Sequence, residues 1–175
     1  MNKTAGLPPS ANQLADRIAI QDILNLHSRG LDRVDVDALT YAYWPDAEVD
    51  YGSFKGAAHD FAQLVLPILG ETYELTRHSL SNHSVELQDN AALSETWVHA
   101  GHLLPGAEEE LLFYGRYLDK LEKRDGRWKI LHRTVVVDWI KRHAVIDERD
   151  SDAFSALQRG GHKDTDPLYT FLGFQ

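Results

Sequence analysis

Arg124-Asp125-Gly126-Arg127 is the stretch of this chain that decides its fold. It separates two long segments, 110–123 and 128–140, in which apolar and polar residues alternate. Asp-Gly between alternating segments is a strong sequence signal of a β-hairpin, because both residues tolerate the positive φ angles of a type I′ turn. We therefore predict that the two segments are adjacent antiparallel strands of one curved sheet.

The sequence before this hairpin divides into helical and strand patterns. Alternation also runs through 78–87 and 92–103, whereas apolar residues recur at helical spacing over 12–30, 35–43 and 58–69. We expect Ser10 or Asn12 to cap the first helix, Gly30 to end it, and a short strand to cover 46–51. Helices followed by antiparallel strands are typical of an α+β fold.

A long antiparallel-rich sheet twists and curls, so three N-terminal helices packed across its hollow would enclose a pocket in a cone-shaped domain. We divide the chain into an N-terminal arm (1–11), an α+β domain (12–146) and a C-terminal tail (147–175). The tail is polar first and aromatic at its end. We expect it to pack on the pocket or on a neighbouring subunit.

Composition excludes several classes of function. The chain has 175 residues, which is long enough for one domain with a hydrophobic core. Its composition, 43% hydrophobic and 26% charged residues, is typical of a globular protein. A net charge of -9 argues against nucleic-acid partners and anionic membranes. The lack of cysteine excludes disulfides and thiol catalysis. We find no signal peptide or membrane span in the sequence and expect a cytoplasmic protein.

Asp32 and His78 are the candidates for catalysis. An aspartate that holds one imidazole nitrogen makes the other nitrogen a directed base. Asp32 follows the end of the first predicted helix, and His78 shares a strand face with Asn82. The alternative is that Asp32 is a simple turn residue and His78 a structural strand residue.

Arg133 and His27 are further candidates. Arg133 lies in an apolar strand face, where burial requires a polar or anionic partner, and a structural salt bridge is the alternative. His27 precedes Asp32 by about one helical turn, so both could face one cavity mouth, unless His27 lies on the surface. His99 and His102 are three residues apart and would point to opposite faces of a strand, so we expect no metal. The sequence also has no phosphate-binding loop, and we expect no cofactor.

Several strings identify a family resemblance. They are Ile20-Gln21-Asp22-Ile23, Gly30-Leu31-Asp32, Tyr43-Trp44-Pro45-Asp46-Ala47-Glu48 and Arg124-Asp125-Gly126-Arg127-Trp128-Lys129-Ile130. Over residues 13–142 the chain resembles the SnoaL-like family of the nuclear transport factor 2-like superfold. Within it, the chain is most similar to a lyase branch that includes hexachlorocyclohexane dehydrochlorinase, scytalone dehydratase and bile-acid dehydratase.

The resemblance implies a cofactor-independent lyase that acts on a small apolar ring compound. Asp32 and His78 match an Asp–His dyad that abstracts a proton from carbon, and Arg133 matches an arginine of the same site. His27 stands where the dehydrochlorinase has lysine; with Arg133 it would steady the leaving group. The implied pocket walls are Trp44, Tyr51, Asn82, Tyr117 and Trp139. Relatives of this branch imply a homotrimer.

The fold alone does not decide the function, because this superfold also hosts other activities. One alternative is an isomerase or polyketide-cyclase-like enzyme in the same pocket. Another is a non-catalytic scaffold like the small subunit of a ring-hydroxylating dioxygenase, and a third is a ligand-binding module. Asp32 and His78 within hydrogen-bonding reach at an open cavity would favour an enzyme.

Overall fold

The structure, a computed structural model, describes residues 7–173 as helices that pack against a curled six-stranded sheet. The helices are α1 (Ala11–Asp32), α2 (Val36–Tyr41), α3 (Ala58–Thr72) and the short α4 (Pro167–Phe171). The strands are β1 (Tyr43–Asp50), β2 (Lys55–Ala57), β3 (Leu75–Gln88), β4 (Ala91–Leu103), β5 (Glu109–Arg124) and β6 (Arg127–Ala144). The predicted α+β class is confirmed.

The sheet has the strand order β2-β1-β6-β5-β4-β3. All neighbouring strands are antiparallel except β1 and β6, which run parallel. The predicted hairpin is confirmed: Arg124 pairs with Arg127, and Asp125 and Gly126 between them have φ angles of 49° and 77°. Two successive positive φ angles are the signature of the I′ turn, whose twist matches that of the flanking strands.

Helix α1 begins where the sequence predicts and ends later. Ser10 caps it and forms a capping box with Gln13, so two free backbone donors are satisfied reciprocally. The prediction that Gly30 ends the helix is wrong, because α1 continues through Asp32. Gly30 serves another purpose: a Cβ there would lie 2.7 Å from the backbone nitrogen of Leu39, so glycine allows α2 to pack against α1.

The main core lies between the helices and the concave face of the sheet. Side chains of α1, α2 and α3 meet those of β1 and β6 there, and the fully buried members include Ile20, Leu39, Tyr43, Ala58 and Ile130. Helix α3 is longer than predicted and contains Pro67 without ending at it. Burial of these apolar side chains supplies most of the driving force for folding.

The C-terminal tail folds back onto the junction of α1 and α2. The Tyr169 hydroxyl donates to Asp35 (2.7 Å), and Lys163 forms an ion pair with the same carboxylate (3.0 Å). Arg33 lies 3.2 Å from Asp166, the residue that caps α4. Of the predicted N-terminal arm, residues 1–6 lie outside the described part of the chain, as do residues 174 and 175 of the tail.

Candidate active site

Asp32 and His78 lie in direct contact. The last residue of α1, Asp32, places a carboxylate oxygen 2.6 Å from Nδ1 of His78, which is on β3. The same carboxylate accepts hydrogen bonds from the His78 backbone N–H (2.9 Å) and from the Thr76 hydroxyl (3.0 Å). An acceptor at Nδ1 selects the tautomer in which Nδ1 carries the hydrogen, so Nε2 is free to act as a base.

His78 lines a cavity of about 320 Å³ between the helices and the sheet. A volume of this order accepts a small ring compound. Its apolar walls come from α1, α3 and the strands, with Leu31, Phe54, Phe61, Leu64, Val65, Ile68, Leu69, Ala100, Phe113 and Val135. Its polar side chains are Tyr51, Ser53, His78, His102 and Tyr117. The cavity is therefore a mostly apolar chamber with a base in its wall.

The dyad also borders a second cavity, of about 280 Å³, which is polar in character. Arg29, Arg33, Ser28 and Asn25 line it together with Asp32 and His78, and Leu168 of the C-terminal tail forms part of its wall. The side chains of His78 and Asp32 are only 8% and 11% exposed. His78 thus lines both the apolar and the polar cavity, whereas Asp32 lines only the polar one.

His102 is a site residue that the sequence reasoning missed. It lines the apolar cavity, and its ring centroid lies 5.6 Å from that of His78. Its Nδ1 lies 3.3 Å from the carbonyl oxygen of Leu111, to which an Nδ1–H donates. Burial and the charge of a protonated His78 lower the pKa of His102 to about 4. The alternation of β4 could have identified His102, because residues two apart on a strand point to the same face, and His102 lies two residues after Ala100.

Arg133 lies behind the wall of the cavity. Its guanidinium makes two hydrogen bonds to Asp119, at 2.7 and 2.8 Å, and both side chains are fully buried. The ring of Tyr117 covers the guanidinium at 4.0 Å. A bidentate carboxylate neutralises the arginine, and Arg133 does not line the cavity. Its role in steadying a leaving group stays a prediction.

His27 is also fully buried and does not line the cavity. The same Arg133 nitrogen lies 2.8 Å from its Nδ1 and 3.0 Å from its Nε2, and the Tyr51 hydroxyl lies 3.3 Å from Nε2. Burial and the charge of Arg133 hold the pKa of His27 well below its usual value. His27 is therefore a neutral residue that links Arg133 to the cavity-lining Tyr51.

Two of the five predicted wall residues line the cavity. They are Tyr51, whose ring stacks on Phe61 at 3.9 Å, and Tyr117. Trp44 does not line it, since its indole points to the β5–β6 hairpin and donates to the Glu122 carbonyl (2.9 Å). Asn82 is exposed and lies at an irregularity of β3, where its φ angle is 43°. The regular alternation of faces is interrupted there, so Asn82 does not share the cavity-facing side of His78.

Trp139 is likewise misplaced by the sequence argument. The pairing of Tyr114 with Trp139 is followed by that of Gly115 with Val137, so Asp138 is an extra residue in β6. This bulge reverses the parity of the strand beyond Val137. Trp139 therefore stacks on Tyr114, which stacks on His99, on the face of the sheet opposite to His102 and the cavity. The prediction that His99 and His102 occupy opposite faces is confirmed.

Within residues 7–173, no group of three or more His, Cys, Asp or Glu side chains is arranged to hold a metal ion. Among the helices of the same range, none combines the length and the apolarity that a membrane crossing requires.

Comparison with known proteins decides the family. The sequence profile of the SnoaL-like domain matches residues 12–134. The chain belongs to the SnoaL-like family. In sequence, this SnoaL-like protein is 31% identical over 126 residues to hexachlorocyclohexane dehydrochlorinase 1 of Sphingobium indicum, covering 68% of this chain and 79% of that enzyme. It is 29% identical over 129 residues to an uncharacterized protein of Mycobacterium tuberculosis, covering 71% and 86%.

Solved structures give the same result for the SnoaL-like fold. A type 2 hexachlorocyclohexane dehydrochlorinase (LinA) matches with a TM-score of 0.70 and 25% identity, over 77% of this chain and 93% of that one. A protein assigned as a scytalone dehydratase from Novosphingobium aromaticivorans matches with a TM-score of 0.69 and 25% identity, over 77% and 91%. The predicted family and fold are thereby confirmed, and the relatives support a lyase-like or isomerase-type enzyme.

Proposed function

We propose that this SnoaL-like protein is a cofactor-independent lyase that removes a carbon-bound proton from a small, mostly apolar ring compound. The observation that carries the proposal is the 2.6 Å contact between Asp32 and His78 at the wall of an apolar cavity. A buried carboxylate that orients a histidine beside an accessible cavity is the arrangement expected of a general base.

The reaction assigns one role to each member of the dyad. Nε2 of His78 accepts the proton from carbon, the C–H electron pair forms the new double bond, and the leaving group departs with the electrons of its own bond. Asp32 stabilises the imidazolium and holds its orientation throughout. Since the Thr76 hydroxyl and the His78 backbone N–H also bind this carboxylate, it is preorganised before substrate enters.

The relatives narrow the reaction class for this proposal. The name of the Sphingobium enzyme states loss of hydrogen and chloride from a chlorinated ring. Scytalone dehydratases, by their name, remove water. Loss of hydrogen chloride or of water with formation of a double bond requires that a proton be removed from carbon, and we propose that the dyad removes it here. An isomerase or cyclase would use the same base without a leaving group, and this is the second candidate function.

A scaffold or ligand-binding role is less consistent with the site. A scaffold does not require a base, whereas here three donors of β3 hold one carboxylate against His78. The test is proton abstraction itself. We expect the protein to exchange the α-protons of cyclohexanone in D₂O or to release chloride from hexachlorocyclohexane, and His78→Ala to abolish both.

His99, which lies on the face of the sheet opposite to the cavity, provides a matched control for this experiment. His99→Ala removes an imidazole from β4 without touching the cavity, so it should retain activity. If His78→Ala exchanges protons at the wild-type rate, or if the wild-type protein acts on neither compound, the lyase proposal is wrong and the ligand-binding module replaces it.

We also propose the remaining attributes of the lyase. Its partner is a small apolar molecule rather than nucleic acid, since a net charge of -9 opposes phosphate binding. A cytoplasmic location and a homotrimer complete the proposal. Sedimentation equilibrium tests the trimer, which requires three times the chain mass of 19.8 kDa.

A further inference from the structure

We propose that the polar cavity beside the dyad binds a carboxylate, with the Arg29 guanidinium and the Ser28 hydroxyl as its donors. The proton abstraction proposed above takes place at the apolar cavity and uses neither of these groups. The carboxylate site therefore goes beyond the lyase function and does not depend on it.

One polar face of α1 forms the wall of this cavity. Asn25, Ser28, Arg29 and Asp32 follow one another at intervals of three and one, so they lie on the same side of the helix. This side lines the polar cavity together with Arg33, the residue that caps the end of α1. The cavity has a volume of about 280 Å³, which leaves room for a small organic acid.

Ser28 supplies a buried donor that the protein leaves unused. The residue is only 6% exposed, and its hydroxyl oxygen has no hydrogen-bond partner within residues 7–173. Serine in a helix can return its hydroxyl to the carbonyl four residues earlier, and buried polar groups are in general satisfied. Because the Ser28 hydroxyl has neither arrangement and borders the cavity, it is available to a group that enters there.

The charges around the cavity leave Arg29 without a counterion. Arg33 lies 3.2 Å from Asp166, which neutralises it. Asp32 also lines the cavity, but its oxygens already accept three hydrogen bonds from β3. No carboxylate in the described part of the chain forms an ion pair with Arg29, whose exposed side chain an anion can reach from solvent.

This set of donors selects the class of ligand. One guanidinium without a counterion and one neutral hydroxyl suit a single negative charge. A carboxylate is planar, and the guanidinium binds its two oxygens through two parallel N–H groups, with lone pairs left for Ser28. A dianionic phosphate would be repelled more strongly by Asp32 in the same cavity. The ligand is thus a monocarboxylate, either a free small acid or the acid arm of a ring compound.

Titration of ¹⁵N-labelled protein with sodium acetate at constant ionic strength tests the site. We expect saturable shifts of the backbone amide signals of Ser28 and Arg29. Arg29→Gln should weaken acetate binding about tenfold or more, and Ser28→Ala roughly three- to tenfold, for the loss of a charged and of a neutral hydrogen bond. Arg127→Gln, which removes an equal charge from the exposed start of β6, is the matched control and should bind acetate as the wild-type protein does.

Cyclohexylacetate distinguishes the two sources of the carboxylate. If the cavity holds the acid arm of a ring compound, cyclohexylacetate binds more tightly than acetate and loses affinity in Arg29→Gln, whereas neutral cyclohexylacetamide does not. If the cavity holds a free acid, cyclohexylacetate binds no more tightly than acetate. Either result supports the site.

Two results would overturn the proposal. One is the absence of saturable acetate shifts in the wild-type protein. The other is an acetate affinity of Arg29→Gln equal to that of Arg127→Gln. Because these measurements involve no turnover, they do not depend on the outcome of the His78→Ala exchange test.

Discussion

Asp32 binds His78 at two points: one carboxylate oxygen contacts the ring Nδ1 at 2.6 Å, and the other accepts the backbone N–H at 2.9 Å. The carboxylate thus sets both the position of the strand residue and the tautomer of its ring. A group held this way has little conformational entropy left to lose during the reaction.

Replacing either member of the dyad should therefore abolish the proposed proton abstraction. We expect His78→Ala to abolish cyclohexanone exchange and Asp32→Asn to lower its kcat by several orders of magnitude; the equivalent change in a serine protease costs about 10⁴-fold. The double variant should lose little more than His78→Ala, because residues that act as a unit are not additive. Independent, multiplicative losses would show that Asp32 does not act through His78.

The Asp119–Arg133 pair should respond strongly to removal of one partner. Asp119→Ala leaves a guanidinium uncompensated in a fully buried site, and we expect a loss of about 3–5 kcal/mol in the free energy of unfolding. Asp119→Leu combined with Arg133→Met removes both charges and should recover much of that loss. Urea denaturation measures both. A double variant as unstable as the single one would contradict the electrostatic explanation.

His102 should make stability depend on pH. Its pKa is about 4 in the folded protein, against 6.5 when unperturbed. The unfolded chain therefore binds the proton first, and stability falls as pH decreases from about 6.5 toward 4, by roughly 3 kcal/mol in the limit. His27, whose pKa is also lowered, acts in the same direction. His102→Gln should flatten this profile in denaturation experiments; an unchanged slope would assign the dependence to other groups.

Gly30→Ala should destabilise the protein although alanine favours helices. Its Cβ would lie 2.7 Å from the Leu39 backbone nitrogen, so α2 would have to move, at a cost of about 1–3 kcal/mol. Gly70 in α3 is the matched control, because its Cβ would meet Val34 at an ordinary 3.7 Å. Gly70→Ala should be neutral or stabilise by up to about 1 kcal/mol. Thermal unfolding of the two variants compares them directly.

The sequence was sufficient for features that depend on neighbouring residues. The hairpin at Asp125-Gly126 follows from local φ preferences, and the Ser10 cap from a three-residue spacing. The proximity of Asp32 and His78 was an inference from topology and family resemblance, since 46 positions separate them. The structure confirms this proximity, since the carboxylate of Asp32 at the end of α1 contacts both the ring and the backbone of His78 on β3.

The errors at Asn82 and Trp139 arise from irregularities in strand register, which the alternation of residues in one strand does not reveal. Asp138 is an extra residue opposite β5, and it moves Trp139 to the outer face. Arg133 lies on the inner face of the sheet as predicted. Its partner in the neighbouring strand is Asp119, and the ion pair between them neutralises the charge of Arg133 within the protein. Identifying that partner from sequence requires the register of two strands rather than the pattern of one.

The parallel pairing of β1 with β6 has a consequence for biosynthesis. β1 ends at Asp50 and β6 begins at Arg127, so residues 51–126 must leave the ribosome before the pair can form. At ordinary elongation rates this takes about 4–15 s. During that interval the apolar side of α1 lacks β6, one of the strands that will cover it. A nascent chain with such an exposed apolar surface is prone to aggregation and is a natural client for chaperones. Truncation before β6 should therefore yield an aggregating fragment rather than a smaller folded domain.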